Sequence, residues 1–147
     1  MIPPFDPDGN LPPGIHAVDW AEIVQRYGHT PYRLQLLQGV RAAALALKAA
    51  GCQTLYLDGS FVTAKRIPRD YDACWDTTGV DLNLLDPVLK TFAAGRALQK
   101  AKYLGELFPA GARAEKAGRT FMRFFQRDKQ TGKTKGIILL DLRSIQP

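Results

Sequence analysis

Residues 54–76, TLYLDGSFVTAKRIPRDYDACWD, carry the pattern on which the fold of this chain depends. The segment reads as a buried strand, a Gly-Ser turn, a short basic connector and a second strand. The second strand contains Asp70 and Asp72, and side chains at positions i and i+2 of a strand point to the same face of a sheet. Two carboxylates held side by side can bind divalent metal ions that a phosphate substrate also ligates.

Length and composition indicate one globular domain. The chain has 147 residues, of which 46% are hydrophobic and 23% charged, as is usual for a folded domain with its own core. We therefore expect a single domain over residues 1–147, in which residues 1–18 form a proline-rich N-terminal arm. No secretory signal or membrane-spanning run is visible, and Cys52 and Cys74 do not form a disulfide framework. These features predict a cytoplasmic protein.

The positive charge of the chain is concentrated near its C-terminal end. The formal net charge is +6, and the segment 113–135 contains eight basic residues against Glu115 and Asp128. A basic segment of this kind is typical of proteins that bind a polyanion such as nucleic acid. The alternative is a solvated hairpin that is rich in lysine and arginine. The candidate binding residues are Arg113, Lys116, Arg119, Arg123, Arg127, Lys129, Lys133 and Lys135.

Periodicity and capping signals predict an α+β fold. Asp19 and Thr30-Pro31 are typical helix starts, and Gly51 is a typical helix end. The predicted helices cover residues 20–27, 31–50 and 87–108. The predicted strands cover residues 52–58, 70–76, 119–127 and 136–142, the last two paired as an antiparallel hairpin. We therefore expect a mixed sheet of about four strands with helices packed on it.

A third carboxylate stands in the last predicted strand. Asp141 is the only charged residue in the apolar run 137–142, and a carboxylate in such a strand needs a partner. That partner is either a metal ion shared with Asp70 and Asp72 or a cation such as Arg143. Three carboxylates around two metal ions would activate an attacking oxygen and stabilise a leaving pyrophosphate.

The Gly59-Ser60 turn adds groups that bind phosphate. A strand followed by Gly-Ser and a helical turn presents backbone N–H groups and a hydroxyl, and Lys65 on the connector reaches the same region. Competing systems have weaker support. His16 and His29 are the only histidines, so a histidine triad or a zinc site has few candidates, and the chain lacks a P-loop sequence.

The sequence Leu57-Asp58-Gly59-Ser60, followed after nine residues by Asp70-Tyr71-Asp72, resembles the Gly-Ser and Asp-x-Asp signature of the nucleotidyltransferase superfamily that includes DNA polymerase beta. The chain is similar in size to minimal bacterial members of that superfamily. It resembles most closely a bacterial group of nucleotidyltransferase-like proteins with the motifs GSFVTAK and PRDYDACWD. The resemblance implies that Gly59 and Ser60 hold a triphosphate and that Asp70 and Asp72 bind two Mg²⁺ ions. Asp141 would take the place of the third acid.

Two functions follow as hypotheses. The first is a metal-dependent nucleotidyltransferase that moves a nucleoside monophosphate from a nucleoside triphosphate to a hydroxyl of RNA, with tRNA as a natural acceptor, or of a protein. In this hypothesis Lys65 helps to hold the phosphates, and the protein belongs to a toxin–antitoxin or phage-defence module. The second is a nucleotidyltransferase fold without turnover that binds a protein or a nucleic acid.

Overall fold

The computed structural model describes residues 1–114 and 118–147, which form an α+β structure with one mixed sheet. The strands are β1 (Ile15–Val18), β2 (Thr54–Asp58), β3 (Tyr71–Trp75), β4 (Gly105–Pro109) and β5 (Ile137–Asp141). The helices are α1 (Trp20–Tyr27), α2 (Pro31–Ala49), α3 (Ala93–Tyr103) and the single turn α4 (Phe121–Phe124). Short 3₁₀ turns cover Ser60–Val62, Pro87–Lys90 and Leu142–Ser144. None of the helices in the described residues is long and apolar enough to cross a membrane.

The strands lie in the order β1-β5-β2-β3-β4. Strand β2 is antiparallel to both of its neighbours, whereas β1 pairs with β5, and β4 with β3, in parallel. The α+β prediction is confirmed, but the sheet has five strands rather than about four. The predicted hairpin between residues 119–127 and 136–142 is wrong, because β5 pairs with β1 and β2 instead.

Three local features explain the differences in strand number. Strand β1 lies inside the segment that we predicted to be an extended arm. Strand β4 lies where a long helix was predicted, because Leu104 adopts a left-handed conformation (φ 65°) that ends α3 and turns the chain back along β3. The aromatic segment 119–127 forms α4, where the Thr120 side chain accepts a hydrogen bond from the Arg123 N–H as a helix cap.

Helices α1 and α2 fold for the reasons that the sequence suggests. The Thr30 side chain accepts a hydrogen bond from the N–H of Arg33, and Pro31 occupies the first turn of α2, where its missing N–H is not needed. The chain leaves α2 through Gly51, whose φ of 98° suits glycine. Helix α1 begins in a similar way, with Asp19 as its cap. Both helices are therefore confirmed to within a residue.

The hydrophobic core lies on one face of the sheet, between the strands and α1 and α2. Leu55 and Leu57 of β2 and Ala73 of β3 point to this face and are fully buried. Side chains alternate along a strand, so the opposite face receives Asp58 from β2 and Asp72 from β3. Because α1 and α2 cover only the first face, the second face is available for a site.

The N-terminal arm borders this second face. The backbone N–H of Ala64 donates a hydrogen bond to the Gly9 carbonyl oxygen at 2.8 Å, and that of Gly136 donates to the Leu11 carbonyl at 2.9 Å. The side chains of Ile2 and Leu11 are buried in the core. The arm is thereby fixed between the loop that follows β2 and the start of β5.

Candidate functional site

Three carboxyl groups form a row across neighbouring strands on the second face of the sheet. Asp58 at the end of β2 lies directly opposite Asp72 on β3, and Asp72 lies opposite Glu106 on β4. Directly opposed residues in a sheet have Cβ atoms about 4.5–5.5 Å apart. Like charges at this separation repel each other. The row is therefore costly for the folded protein unless protons or cations compensate it.

Asp58 is the deepest member of this carboxyl row. It is fully buried, and its Oδ2 atom accepts a hydrogen bond from the Cys74 thiol at 3.6 Å, whereas Oδ1 has no partner among the described residues. Burial, and after it the charge of Asp72, raises the pKa of Asp58 well above its usual value. Burial also raises the pKa of the Cys74 thiol, which keeps its proton.

Asp72 and Glu106 behave as a coupled pair. Burial raises the pKa of Asp72 to about 7, with further contributions from the charge of Asp70 and from a hydrogen bond with Glu106. Burial also acts to raise the pKa of Glu106, but hydrogen bonds from Arg96 and Lys100 outweigh it, so the pKa of Glu106 is lowered. Protonated Asp72 therefore donates to ionised Glu106 below neutral pH. Above neutral pH, Asp72 carries a charge with no ion-pair partner among the described residues.

Two cations already neutralise Glu106. Arg96 Nη2 lies 2.9 Å and Lys100 Nζ lies 3.1 Å from the Oε1 atom of Glu106. Asp70 lies just before β3, where burial and then the charge of Glu106 raise its pKa. The three carboxylates of Asp70, Asp72 and Glu106 thus affect one another, and of the three only Glu106 forms an ion pair within the described part of the chain.

An open cavity of about 540 Å³ lies beside Asp72. Its walls combine Asp72 and the Gly59-Ser60 turn with four cations and with Asp8, Gly9, Asn10 and Asp128 from the arm and the loop before β5. The lining cations are Lys65, Arg127, Lys129 and Lys135. The charge of Lys129 acts to lower the pKa of Asp72, and the charge of Lys135 acts to lower that of Asp58. A carboxylate among cations and a Gly-Ser turn suits a phosphate that is accompanied by a metal ion.

A buried arginine holds the loop that carries Ser60 and Lys65. Arg33 of α2 is 1% exposed and donates from Nη1 to the Phe61 carbonyl oxygen at 3.0 Å and from Nη2 to the Lys65 carbonyl oxygen. Its guanidinium also lies over the Phe61 ring, 5.0 Å from the centroid. The Tyr27 hydroxyl donates to the Val62 carbonyl oxygen at 3.0 Å. The loop is thus fixed to the helical layer on both sides of its turn.

Gly59 allows the turn to approach Asp72. Its φ of 75° and ψ of −168° lie in a region that is accessible almost only to glycine. A Cβ atom at this position would lie 2.2 Å from Asp72 Oδ2 and 3.0 Å from Asp72 Cβ. The backbone of the turn therefore packs directly on the carboxylate of the proposed site.

We expect Gly59→Ala to lower the free energy of unfolding by about 2–4 kcal/mol, because backbone strain and a clash with Asp72 act together. Thermal unfolding monitored by circular dichroism would measure the loss. Gly132→Ala is the matched control, because Gly132 also has a positive φ (72°), but a Cβ atom added there would meet no described atom within 4 Å. An equal loss in both variants would show that the clash with Asp72 contributes nothing.

Asp141 does not join this site. It lies opposite Thr54 at the start of β2, whereas Asp72 lies opposite Asp58 at the end of that strand, and four residues of β strand separate the two positions by about 13 Å. Its carboxylate binds Arg143 in a bidentate manner, at 3.0 Å to Nε and 2.9 Å to Nη2. These hydrogen bonds lower the pKa of Asp141. The predicted convergence of Asp141 with Asp70 and Asp72 is wrong, and the alternative ion pair with Arg143 is observed.

The other predicted residues divide between the cavity and its surroundings. Gly59, Ser60, Lys65 and Asp72 line one cavity, whereas Asp70 lies in a separate groove that is lined also by Arg69 and Lys100. Of the predicted basic residues, three line the cavity (Arg127, Lys129 and Lys135), four of the described ones do not (Arg113, Arg119, Arg123 and Lys133), and Lys116 lies outside the described residues. Lys133 instead lies 3.6 Å from Asp8 in an ion pair.

Sequence reasoning missed Asp58, Glu106 and Asn10. Asp58 directly precedes the Gly-Ser turn, and the sequence could have indicated it, because a carboxylate in a buried strand requires a compensating partner. Glu106 was hidden by the prediction of a helix over 87–108. Asn10 donates from Nδ2 to Asp128 Oδ2 at 2.7 Å and so joins the arm to the loop at the mouth of the cavity. No local pattern indicates that long-range contact.

A family model described as a family of unknown function, DUF6932, matches residues 3–141. The chain belongs to the DUF6932 family. The match includes the arm, the Gly-Ser turn, all five strands and the whole cavity lining. No curated protein and no solved structure gives a significant match. Membership in DUF6932 therefore assigns no activity, and the function of the cavity has to be argued from its chemistry.

Proposed function

We propose that this DUF6932 protein is a metal-dependent nucleotidyltransferase. The observation that carries the proposal is the position of Asp72, which lines one cavity together with the Gly59-Ser60 turn and the cation Lys65. Nucleoside triphosphates present several phosphates and a bound divalent cation, so they need this combination of carboxylate, N–H groups and basic side chains. The α+β fold with its antiparallel β2–β3 pair is compatible with the resemblance described above.

The residues present suit Mg²⁺ in their chemistry. Carboxylate oxygens are its preferred protein ligands, and Mg²⁺ is usually bound by one or two carboxylates, with substrate phosphates and water completing the shell. The raised pKa of Asp72 means that burial disfavours its ionised form, and a bound cation would favour that form. Among the described residues no three acidic, histidine or cysteine side chains form a ready cluster for a metal ion. The nucleotide would therefore have to supply some of the ligands.

The proposed reaction joins an acceptor hydroxyl to the α-phosphate. The hydroxyl oxygen forms a bond to the α-phosphorus, the bond from that phosphorus to the oxygen bridging the α- and β-phosphates breaks, and pyrophosphate leaves. The Gly59-Ser60 turn and Lys65 hold the triphosphate. Asp72 would take the hydroxyl proton as the acceptor oxygen attacks. A bound Mg²⁺ would stabilise the charge that builds up on the phosphate oxygens.

The alternative is a binding module without turnover. The observation that favours it is the pair of cations on Glu106, since Arg96 and Lys100 occupy the carboxylate that lies nearest to Asp72 on β4. If these ion pairs persist, Glu106 is not free to bind a metal ion beside Asp72. The protein would then bind a nucleotide or a polyanion in the cavity but would not catalyse transfer.

Calorimetric titration with each of the four ribonucleoside triphosphates, with and without Mg²⁺, tests the proposal. At pH 8 we expect saturable binding that depends on Mg²⁺ and that Asp72→Asn weakens about tenfold or more, because one charged ligand is lost. Asp141→Asn is the matched control, since it removes the same charge at the other end of β2, and we expect it to bind like the wild type. Equal effects of the two substitutions, or no Mg²⁺-dependent binding, would contradict the proposal. Binding without pyrophosphate release from any acceptor tested would favour the binding module.

A further inference from the structure

The turn α4 presents apolar side chains that the protein buries only in part. Phe121, Met122 and Phe124 belong to this four-residue turn, Phe125 follows it, and none of the residues in α4 is buried. Three phenylalanines in five residues normally face a core, because each ring buries about 150–250 Å² when it is fully covered. Apolar side chains that stay partly exposed together in one patch are typical of surfaces that bind another molecule.

The phenylalanine rings around α4 contact one another in defined orientations. The ring centroids of Phe108 and Phe121 lie 4.1 Å apart with an interplanar angle of 13°, and those of Phe92 and Phe108 lie 6.1 Å apart at 11°. Phe125 lies 6.1 Å from Phe121 at 22°, and Phe124 meets Phe125 edge to face at 5.3 Å. We call Phe92, Phe108, Phe121, Phe124 and Phe125 the phenylalanine row, in which Phe108 is buried and the other four rings keep accessible surface.

Cations accompany the phenylalanine row along its length. Arg96 lies over the Phe108 ring at 5.5 Å from the centroid, and Arg119 and Lys129 lie over the Phe124 ring at 5.8 and 5.4 Å. Arg123 and Arg127 are exposed on and beside α4. Aromatic faces with basic side chains around them are the combination by which proteins bind single-stranded nucleic acid, since bases stack on the rings while phosphates meet the cations.

The row leads into the cavity beside Asp72. Phe124 and Phe125 line that cavity, whereas Phe92 at the other end of the row is 40% exposed. A polymer bound along the row would therefore bring one of its ends to the proposed transfer site. A membrane surface is a poorer partner, because α4 is a single turn and lacks the long amphipathic face by which helices lie in a bilayer interface.

We propose that the phenylalanine row is a stacking platform for a single-stranded polynucleotide. The inference names the acceptor of the proposed nucleotidyl transfer and in that sense rests on it, but the binding itself requires neither nucleoside triphosphate nor metal. Phe124 is the central residue, because it lies at the cavity and carries two of the cations. The bases contact the accessible ring surfaces, with Phe108 supporting the row from beneath, so the platform favours unpaired over paired strands.

Fluorescence anisotropy with a labelled single-stranded RNA of mixed sequence, measured without nucleotide and metal, tests the inference. We expect Phe124→Leu to weaken binding about fivefold or more, since stacking on one aromatic residue contributes about 1–3 kcal/mol. Phe124→Tyr should bind like the wild type, because it keeps the ring. Arg143→Ala, which removes a cation that pairs with Asp141 on the far side of β2, should also leave affinity nearly unchanged. Single-stranded DNA of the same sequence shows whether the 2′-hydroxyl matters.

A duplex of equal length and vesicles containing anionic lipid complete the comparison. Tighter binding of the single strand than of the duplex, lost in Phe124→Leu and kept in Phe124→Tyr, would support the platform. Equal affinity for single strand and duplex, equal affinity of the Leu and Tyr variants, or binding to vesicles alone would overturn it. If the RNA binds in this manner but no triphosphate binds at Asp72, the platform stands and the proposed transfer fails.

Discussion

Replacing Asp72 with asparagine is expected to make the protein more stable at pH 8 while it removes the proposed function. Asp72 has a pKa of about 7 in the folded protein, above the ordinary value of 3.8. The folded state therefore binds a proton that the unfolded state has lost between about pH 4 and pH 7, so this carboxyl group reduces stability as the pH rises through that range. Above pH 7 the loss is complete, and the charge remains buried beside Asp58 and Glu106.

The asparagine side chain in this variant cannot ionise, yet its amide can still donate to Glu106. At pH 5 we expect Asp72→Asn to exceed wild type in stability by only a small part of the difference at pH 8, because folded wild type still keeps the Asp72 proton. At pH 8 we expect the variant to be more stable by about 1–2 kcal/mol, or roughly 3–8 °C in melting temperature. This gain in stability is smaller than the full pKa shift of Asp72 implies, because the pKa of its coupled neighbour Glu106 is lowered. Differential scanning calorimetry at both pH values, in a chelating buffer, measures the difference.

Asp141→Asn provides a control of opposite sign. The pKa of Asp141 is lowered by hydrogen bonds from Arg143, so its charge favours the folded state at pH 8 and the substitution should not stabilise the protein. A melting temperature for Asp72→Asn that does not change relative to wild type between pH 5 and pH 8 would contradict the buried, uncompensated charge. Mg²⁺ added to wild type at pH 8 should recover part of the lost stability.

The second large effect is expected at Arg33, which supports the loop from inside the protein. Replacing it with methionine keeps much of the volume but leaves the carbonyl oxygens of Phe61 and Lys65 without their donor. We expect a loss of about 2–4 kcal/mol in the free energy of unfolding, because buried carbonyl groups without partners each cost about 1–3 kcal/mol. Chemical denaturation measures this loss, and amide exchange of residues 60–65 measures the loosening of the loop.

Arg41→Met is the matched substitution on the same helix. Arg41 is less buried and donates to the Gln146 carbonyl oxygen near the C-terminus, so its removal should cost well under half as much. Burial lowers the pKa of Arg33, which means that burying its charge destabilises the folded protein. If Arg33→Met were as stable as wild type, that cost would equal the value of its hydrogen bonds, and Arg33 would have no positive role in holding the loop.

Much of the fold could be predicted because its signals are local. The caps of α1 and α2, the alternation along β3 and the apolar run of β5 all lie within a few residues of the elements that they define. Strand β4 was missed because the residue that turns left-handed at the end of α3 is Leu104, and the Gly105 that follows it was assigned to the interior of a helix over 87–108. The strand-like composition of 119–127 was outweighed by the Thr120 cap.

The site was predictable where it depends on neighbours in sequence and not where it depends on register. Gly59, Ser60 and Asp72 come together because an antiparallel pair brings the end of β2 to the start of β3. The prediction that Asp141 belongs to the site failed because a strand pattern does not show which end of β2 the residue faces. The register places Asp141 opposite Thr54. Glu106 takes the position beside Asp72 through a parallel pairing that joins residues distant in sequence.

The most direct test of a nucleotide site at Asp72 is a crystal structure with Mn²⁺ and a non-hydrolysable nucleoside triphosphate, read from the anomalous signal of the metal. The proposal predicts a Mn²⁺ peak about 2.1–2.3 Å from a carboxylate oxygen of Asp72, with the triphosphate against Gly59 and Ser60. The same map shows whether Glu106 leaves its ion pairs with Arg96 and Lys100 to bind the metal ion. A peak at Asp141, or nucleotide bound away from the Gly59-Ser60 turn, would contradict the proposal.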